Sequence, residues 1–492
     1  MRFQVFENGK VADEFTLYGA YLFGTDGIAV RKAKITFKDG FIECSKPNMA
    51  TAGLALLWNI EGFGRILLPT TCLPERERPY ILNVELARAR LMCIINKRED
   101  WSLFDSIKEL GDISHQAQSL LIRSIQNISD PPKASEFADG SLRKSIVFSE
   151  KLTAKHADMY FKVRGKNRSF GRGCLGCQID PVRIGEPEYI KRVQELFGSV
   201  TIPINWGQIE CQKGHYDFSV IENCLKILDK KRLSITAGPL LCFSKEYLPQ
   251  WLLSSNVGFE KIREAGYKFI LSTVGQFAPV IHTWRIISGL NVFNHFGFNF
   301  EQVLEMTRAA KMAVKASGES RTLKIIEISN PWGEYYSSTP NTIPPLVYVD
   351  MIVQSGINFD AFGLQMHFGR NQAGMHAKDM LQMSSVLDFF GPIAKPLHVT
   401  EVEVPSRHSG GEFDVNVAGV WHEKWDQQKQ RQWIEQFYKI ALSKPFVDTV
   451  TYANLTDSAD NKIANSGLLT ENLEPKESFK TLKKFSELIF RR

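Results

Sequence analysis

The sequence predicts an α/β chain, a (β/α)8 TIM barrel preceded by a β-rich amino-terminal domain and a helical connector. Three observations predict it. From about residue 172 onward, short apolar runs alternate with stretches of helical periodicity. Residues 81–171 carry helical periodicity almost throughout, and residues 1–80 carry short alternating runs broken by glycine, asparagine and Asp-Gly pairs. The 492 residues, 43% hydrophobic and 23% charged, suffice for two or three domains with ordinary cores.

The amino-terminal runs are RFQVF, AYLFG, KITF, GFIEC and ALLWNI. Their spacing suits a small sandwich, either a sugar-binding module or a structural appendage. In the connector, NVELARARLMCIINKREDWSLFDSIKELG and SHQAQSLLIRSIQNIS place apolar residues at helical spacing. SDPPKASEFADGS is expected to break them from SLRKSIVFSEKLTAKHADMYFKV, so the region resembles a hairpin of long helices.

The barrel strands are expected at CLGCQI, SVTIPI, SITAGPLL, TWRIISG, KIIEIS, FDAFGLQ, LHVTEV and DTVTYANL. Eight strand–helix units in roughly 320 residues is the count and size of a TIM barrel. A doubly wound sheet would want a glycine-rich phosphate turn after its first strand, and Gln178-Ile179-Asp180-Pro181 stands there instead.

The net charge of +6 is mild, and the one basic run, Lys162 to Arg172, falls at the expected domain junction. Nucleic acid is therefore not an expected partner. Eight scattered cysteines include one C-x-x-C, Cys174 and Cys177, with no second pair at zinc spacing. No cofactor or metal is expected. The first residues lack a signal-peptide apolar run, and no stretch approaches the ~20 apolar residues of a membrane span. The expectation is a cytoplasmic chain without a membrane partner, its oligomeric state left open.

In a barrel the chemistry lies at the carboxyl ends of the strands. Here those ends are Gly363-Leu364-Gln365-Met366-His367 on the sixth strand and Thr400-Glu401-Val402-Glu403 on the seventh. The fifth leads into Asn330-Pro331-Trp332-Gly333-Glu334-Tyr335-Tyr336. FDAFGLQMHF followed by KPLHVTEVEV resembles the sixth and seventh strands of glycoside hydrolase family 10, the endo-1,4-β-xylanase family. SGLLTENLEPKESF resembles the family's closing segment, and NWGQIECQKGHYDF the region after its second strand. The resemblance spans about residues 172–492.

The resemblance implies a retaining glycosidase with a saccharide substrate. Glu401 matches the nucleophile, His367 the histidine that orients it, and Gln365 a sugar-contacting neighbour. Asn205 and Trp206, after the second strand, are further candidates for sugar contact. Glu403 matches a supporting acid. A retaining hydrolase needs an ionised carboxylate to attack the anomeric carbon and a second carboxyl roughly 5–5.5 Å away to protonate the leaving oxygen.

The fourth strand departs from the family. Where the family ends Trp-Asp-Val-Val-Asn-Glu, this chain has Trp284-Arg285-Ile286-Ile287-Ser288-Gly289, so the acid/base position is glycine. The family's third-strand histidines and tryptophan are replaced within Ala237-Gly238-Pro239-Leu240-Leu241-Cys242-Phe243. Glu334 is the candidate replacement acid, flanked by Trp332, Tyr335 and Tyr336, whose rings could stack on sugars. Glu327, inside the fifth strand, is a weaker candidate. Asn291, Asn294 and His295 follow the fourth strand and could add polar contacts. The loop after the seventh strand brings Trp421, His422 and Trp425, either to cover the cleft or to pack on the rim. A barrel that binds saccharide with hydrolysis reduced or lost is the alternative reading.

Overall fold

The computed structural model describes residues 1–101, 108–229, 231–254, 257–317 and 321–490. Residues 102–107, in the middle of the first expected helical stretch, lie outside the described residues.

The carboxy-terminal region is a closed barrel of eight parallel strands, numbered here within the barrel. They are β1 Leu175–Gln178, β2 Ser199–Ile202, β3 Ser234–Ala237, β4 Thr283–Ser288, β5 Leu323–Ser329, β6 Ala361–His367, β7 Leu397–Glu403 and β8 Val447–Tyr452. β8 pairs with β1 through Val450 and Leu175, which closes the ring. Every strand corresponds to one of the expected apolar runs. Helices Pro187–Leu196, Ser219–Leu228, Phe300–Ser317 and Gln427–Ser443 cover the outside, each burying one stripe.

The amino-terminal region forms two four-stranded sheets. In one, Lys34–Lys38, Phe41–Ser45, Arg2–Gln4 and Tyr80–Ile81 are neighbours in that order. The other has Tyr21–Phe23, Gly53–Ile60 and Gly64–Pro69, and its edge is a strand from the barrel, Val420–Trp421. Val420 pairs with Arg65 and Trp421 with Gly64. The loop after β6 joins the same seam, where Leu67 donates its amide to Ala377 at 3.0 Å. Arg31 reaches the loop after β5, donating to the Thr342 carbonyl at 2.9 Å. The sheets thus grip the loops of β5, β6 and β7, which frame the barrel mouth.

Three helices follow, Leu82–Asp100, Lys108–Gln126 and Pro131–Lys166. The expected break at SDPPKASEFADGS is shorter than anticipated. Asp130 caps the third helix and the two prolines occupy its first turn, where a missing N–H costs nothing. The helix then runs through Gly140, whose bare face lies against Leu120 of the second helix. Arg164 near its end donates from Nη1 to the carbonyls of Leu442, Lys444 and Val447, tying it to the barrel.

Candidate active site

Strand alternation points every second side chain into the barrel. β6 contributes Gln365 and His367, and β7 contributes Glu401 and Glu403, paired in register with them. β5 contributes Glu327 and Ser329. On β4 a register shift between Arg285 and Ile287 turns both Arg285 and Ser288 inward.

These side chains form one connected polar cluster. Arg285 Nη1 donates to Glu401 Oε1 at 2.9 Å and to Glu327 Oε1 at 3.2 Å. Its Nη2 donates to Gln178 Oε1 at 3.2 Å and to the Gly238 carbonyl. Gln365 Nε2 donates to Glu401 Oε1 at 3.2 Å and to Ser288 Oγ at 3.0 Å, while Ser329 donates to the Gln365 carbonyl oxygen. His367 bridges two carboxylates, with Nδ1 2.8 Å from Glu403 Oε1 and Nε2 3.4 Å from Glu401 Oε2. Glu403 is held from its other side by Asn454 and Ser466.

Burial separates the members. Arg285 and Glu327 are almost wholly enclosed, while the Glu401 side chain keeps 14% of its surface. Burial works to raise the Glu401 carboxyl, but the hydrogen bond from His367 and the Arg285 charge outweigh it and hold Glu401 well below the usual carboxylate range. Glu327 goes the other way. Burial lifts its carboxyl against the pull of Arg285, and the Glu401 charge lifts it further. A polar cavity of about 660 Å³ opens at the carboxyl ends of β1 and β8, with Gln178 and Asn454 in its wall. It therefore adjoins the Glu401 cluster. A larger cleft of about 820 Å³ lies between the amino-terminal sheets and the helix Pro131–Lys166 and contains none of these residues.

The other expected site residues lie elsewhere. Glu334 is buried below the loop after β6, where its Oε1 meets Lys378 Nζ at 2.6 Å and its Oε2 accepts from the Gly374 amide at 2.7 Å. Burial alone would raise its carboxyl, but Lys378 and His376 bring it down to about 2. Its two oxygens are thus engaged by Lys378 and Gly374 and not by any member of the Glu401 cluster, an arrangement that counts against the expectation that Glu334 is the donor. Trp332 is half-buried, with the Lys378 ammonium 4.6 Å from its ring centre. Tyr335 is buried and donates to the Ile343 carbonyl at 2.7 Å while accepting from Asn291. Asn291 and Asn294 brace loop carbonyls, and His295 is exposed.

The aromatic candidates need the same correction. Trp206 is enclosed, stacked 5.3 Å from Phe269, and donates to Glu210 at 2.6 Å. Asn205 caps the short helix Trp206–Ile209 and donates to the Glu246 carbonyl at 2.9 Å. Trp421 lies in the strand shared with the amino-terminal sheet, and Trp425 is buried. Neither presents a face to the mouth. His422 packs on Phe63, 4.3 Å between ring centres. Gln365 is inside the cluster, its amide bonded to Glu401 and Ser288.

Gly289 has no room for a side chain. Its φ is +57°, and a Cβ there would lie 2.5 Å from Ser329 Oγ and 2.6 Å from the Phe293 ring. Arg285 is the central residue that the sequence reading gave no role. The available signal was a charge inside the apolar run TWRIIS, which in a buried strand demands a partner.

No family model matches this chain, and no curated protein does. Solved structures match it over the barrel. Native xylanase 10B from Thermotoga maritima aligns at 17% identity with a TM-score of 0.50, covering 65% of this chain and 96% of that one. The Penicillium canescens endo-1,4-β-xylanase XylE aligns at 14% identity with a TM-score of 0.50, covering 69% and 98%. A family 10 endoxylanase from a sugarcane soil metagenome aligns at 15% with a TM-score of 0.50, covering 63% and 96%. At these identities the likeness is one of fold.

Proposed function

We propose that this chain is a glycoside hydrolase, endo-1,4-β-xylanase-like, that cleaves O-glycosyl bonds of an oligosaccharide or polysaccharide by a retaining mechanism with Glu401 as nucleophile. One observation carries the reading. Glu401 is a partly exposed carboxylate near the end of β7, held low and oriented from two sides, in a cluster whose outer members Gln178 and Asn454 line a polar cavity at the carboxyl ends of β1 and β8. Its Oε1 is engaged by Arg285 and Gln365, whereas Oε2 has only His367, at 3.4 Å, among the described residues. Oε2 is the attacking oxygen, and the Arg285 charge on Oε1 tempers the nucleophilicity of the whole carboxylate.

In the first step Glu401 Oε2 bonds to the anomeric carbon as the bond to the leaving oxygen breaks. In the second, water bonds to the anomeric carbon as the bond to Glu401 breaks, its proton passes to solvent, and the original anomeric configuration returns. The leaving oxygen needs a proton, and Gly289 carries none. Glu334 is ionised in its pair with Lys378, and Glu327 is enclosed beneath Arg285. Loss of a general acid costs roughly 10²–10⁴ in rate when the leaving group is poor. The reading therefore favours substrates whose leaving group departs as a stable anion. The pairing of Arg285 with Glu401 favours a second reading, a saccharide-binding barrel in which hydrolysis is reduced or lost.

The test uses an aryl xylobioside with a nitrophenolate leaving group and an unactivated xylo-oligosaccharide. The aryl substrate should turn over with retention, followed by the anomeric protons in NMR. Glu401→Gln should abolish that turnover. Turnover that survives Glu401→Gln removes Glu401 as nucleophile, and calorimetric binding of the oligosaccharide without cleavage of either substrate selects the second reading.

A further inference from the structure

Glu327 is a buried acid that the proposed mechanism does not use. It shares one nitrogen of Arg285 with Glu401, so the nearest oxygens of the two carboxyls are no further apart than the sum of the two contacts, about 6 Å. One cation thus stands between two carboxyls inside a closed barrel. Glu327 Oε2 is buried with no donor in full hydrogen-bonding geometry, and the nearest hydroxyls, those of Thr400 and Ser288, pull on the carboxyl only weakly beside burial and the Arg285 charge. An ionised oxygen costs far more in such a place than a protonated one.

The neighbouring strands act on it in opposite directions. β4 presents Arg285 and the hydroxyl of Ser288, and β7 presents Glu401 and the hydroxyl of Thr400; burial and the Glu401 charge lift the Glu327 carboxyl, while Arg285 and the two hydroxyls draw it down. On β6 the residue opposite is Gly363, so Thr400 and Glu327 approach each other across it. His367 and Glu403 lie further toward the mouth and pair with each other. Cys242 and Tyr247 face the cluster from beyond β3, and both are pushed up, chiefly by burial, with Glu327 and Glu401 adding to the push. Lys462 acts on Glu401 from the loop after β8. Arg285 is therefore the one cation that Glu327 touches among the described residues.

We propose that Glu327 is a positioning residue for Glu401: it carries a proton while Glu401 is ionised, leaving Arg285 on the nucleophile, and on losing that proton it draws Arg285 away and frees Glu401 to attack. The proposal rests on the reading of Glu401 as nucleophile for its effect on rate, and on the cluster alone for its proton. Nothing is transferred to substrate from Glu327. Its proton goes to solvent as the pH rises.

The experiment has two readouts. The first is a pH titration of protein labelled with carboxyl-¹³C glutamate, which needs no turnover. Burial raises Glu85 as well, so the wild type should show more than one glutamate resonance that titrates above the ordinary carboxylate range, and Glu327→Gln should lack one of them while the Glu85 resonance stays. If the resonance that Glu327→Gln removes titrates in the ordinary range, the proposal fails. The neutral amide imitates a protonated acid, so Glu327→Gln should fold normally at neutral pH. A variant that does not fold shows that the charge was needed and also overturns the proposal.

The second readout is the pH profile of kcat on the aryl glycoside. The wild type should rise severalfold as Glu327 ionises. Glu327→Gln should stay flat at the low value, and Glu327→Asp should restore the rise. A rise that persists in Glu327→Gln overturns the role in positioning. Absence of turnover in every variant, with the resonance present, would instead sink the hydrolase reading and leave the proton on Glu327 standing.

Discussion

Arg285 and Glu401 meet inside the barrel, Nη1 to Oε1 at 2.9 Å, joining the fourth strand to the seventh by a charge contact. In the resemblance to family 10, Arg285 falls on an aspartate, at the second position of a segment that here ends in Gly289. Arg285 alone gives Glu401 a buried cation for a partner.

Replacing that cation should be costly. Arg285→Met removes one member of a buried pair and leaves Glu401 uncompensated, at a cost on the order of 3–5 kcal/mol. The pH dependence should change as well. In the wild type the Glu401 carboxyl is depressed, so its stabilisation is present above the unfolded value and is lost as pH falls through the folded one. Without Arg285 that carboxyl rises and the benefit above the unfolded value shrinks. Urea unfolding of both proteins between acidic and neutral pH measures the difference.

Restoring the family's acid by a single substitution should fail. In Gly289→Glu the new Cβ collides with Ser329 and Phe293 at a backbone φ of +57°. The left-handed conformation alone costs about 1–2 kcal/mol, and overpacking about 1–3 kcal/mol more. Melting temperature should drop, and turnover of an unactivated oligosaccharide should not improve. Improved turnover at unchanged stability would mean that the loop can open to admit the side chain.

The pair of Glu334 and Lys378 should behave as a structural lock. Lys378→Met strands a buried carboxylate and should destabilise by roughly 3–5 kcal/mol. Glu334 is lowered to about 2, so the pair's contribution is present above its unfolded value, about 4.3, and is lost as pH falls toward 2. Acid unfolding of wild type and Lys378→Met should converge at the low end. In Glu334→Gln, the dependence of rate on leaving group should match the wild type. A steeper dependence in that variant would return Glu334 to the role of acid.

Gly64 holds the seam between the amino-terminal sheet and the loop after β7. Its φ is +121°, and a Cβ would lie 2.5 Å from the Val420 carbonyl oxygen. Gly64→Val should detach the strand Val420–Trp421 and expose Trp421, now only 1% exposed. A red-shifted tryptophan emission and faster proteolysis within residues 404–426 are the expected signs.

The barrel was legible because each buried strand is a compact apolar run, and the alternation with helices survives any change of site. Glu401, His367 and Gln365 were singled out by the resemblance to family 10, and their nearness to one another was legible because strand ends have fixed places in a barrel. Arg285 was not, because its partners come from other strands, Glu401 being 116 positions away, and a register shift decides which way it points. Trp206, Trp421 and Tyr335 look alike in sequence whether they face a sugar or a core. Their burial depends on what folds over them. Glu334 illustrates the same limit, because Lys378 belongs to a different loop and nothing near Glu334 in sequence announces it.

The strand Val420–Trp421 also bears on how the chain is made. Its partner Gly64–Pro69 leaves the ribosome long before it does. At about 5–20 residues per second, that sheet edge waits roughly 20–70 s for its last strand. An open edge of this kind is a template for pairing with another nascent chain. A late-arriving strand of the loops over the mouth is thus the one that shields an early-made sheet. Translation that stalls between β6 and Val420 should yield aggregates nucleated at Gly64–Pro69, not a folded amino-terminal half.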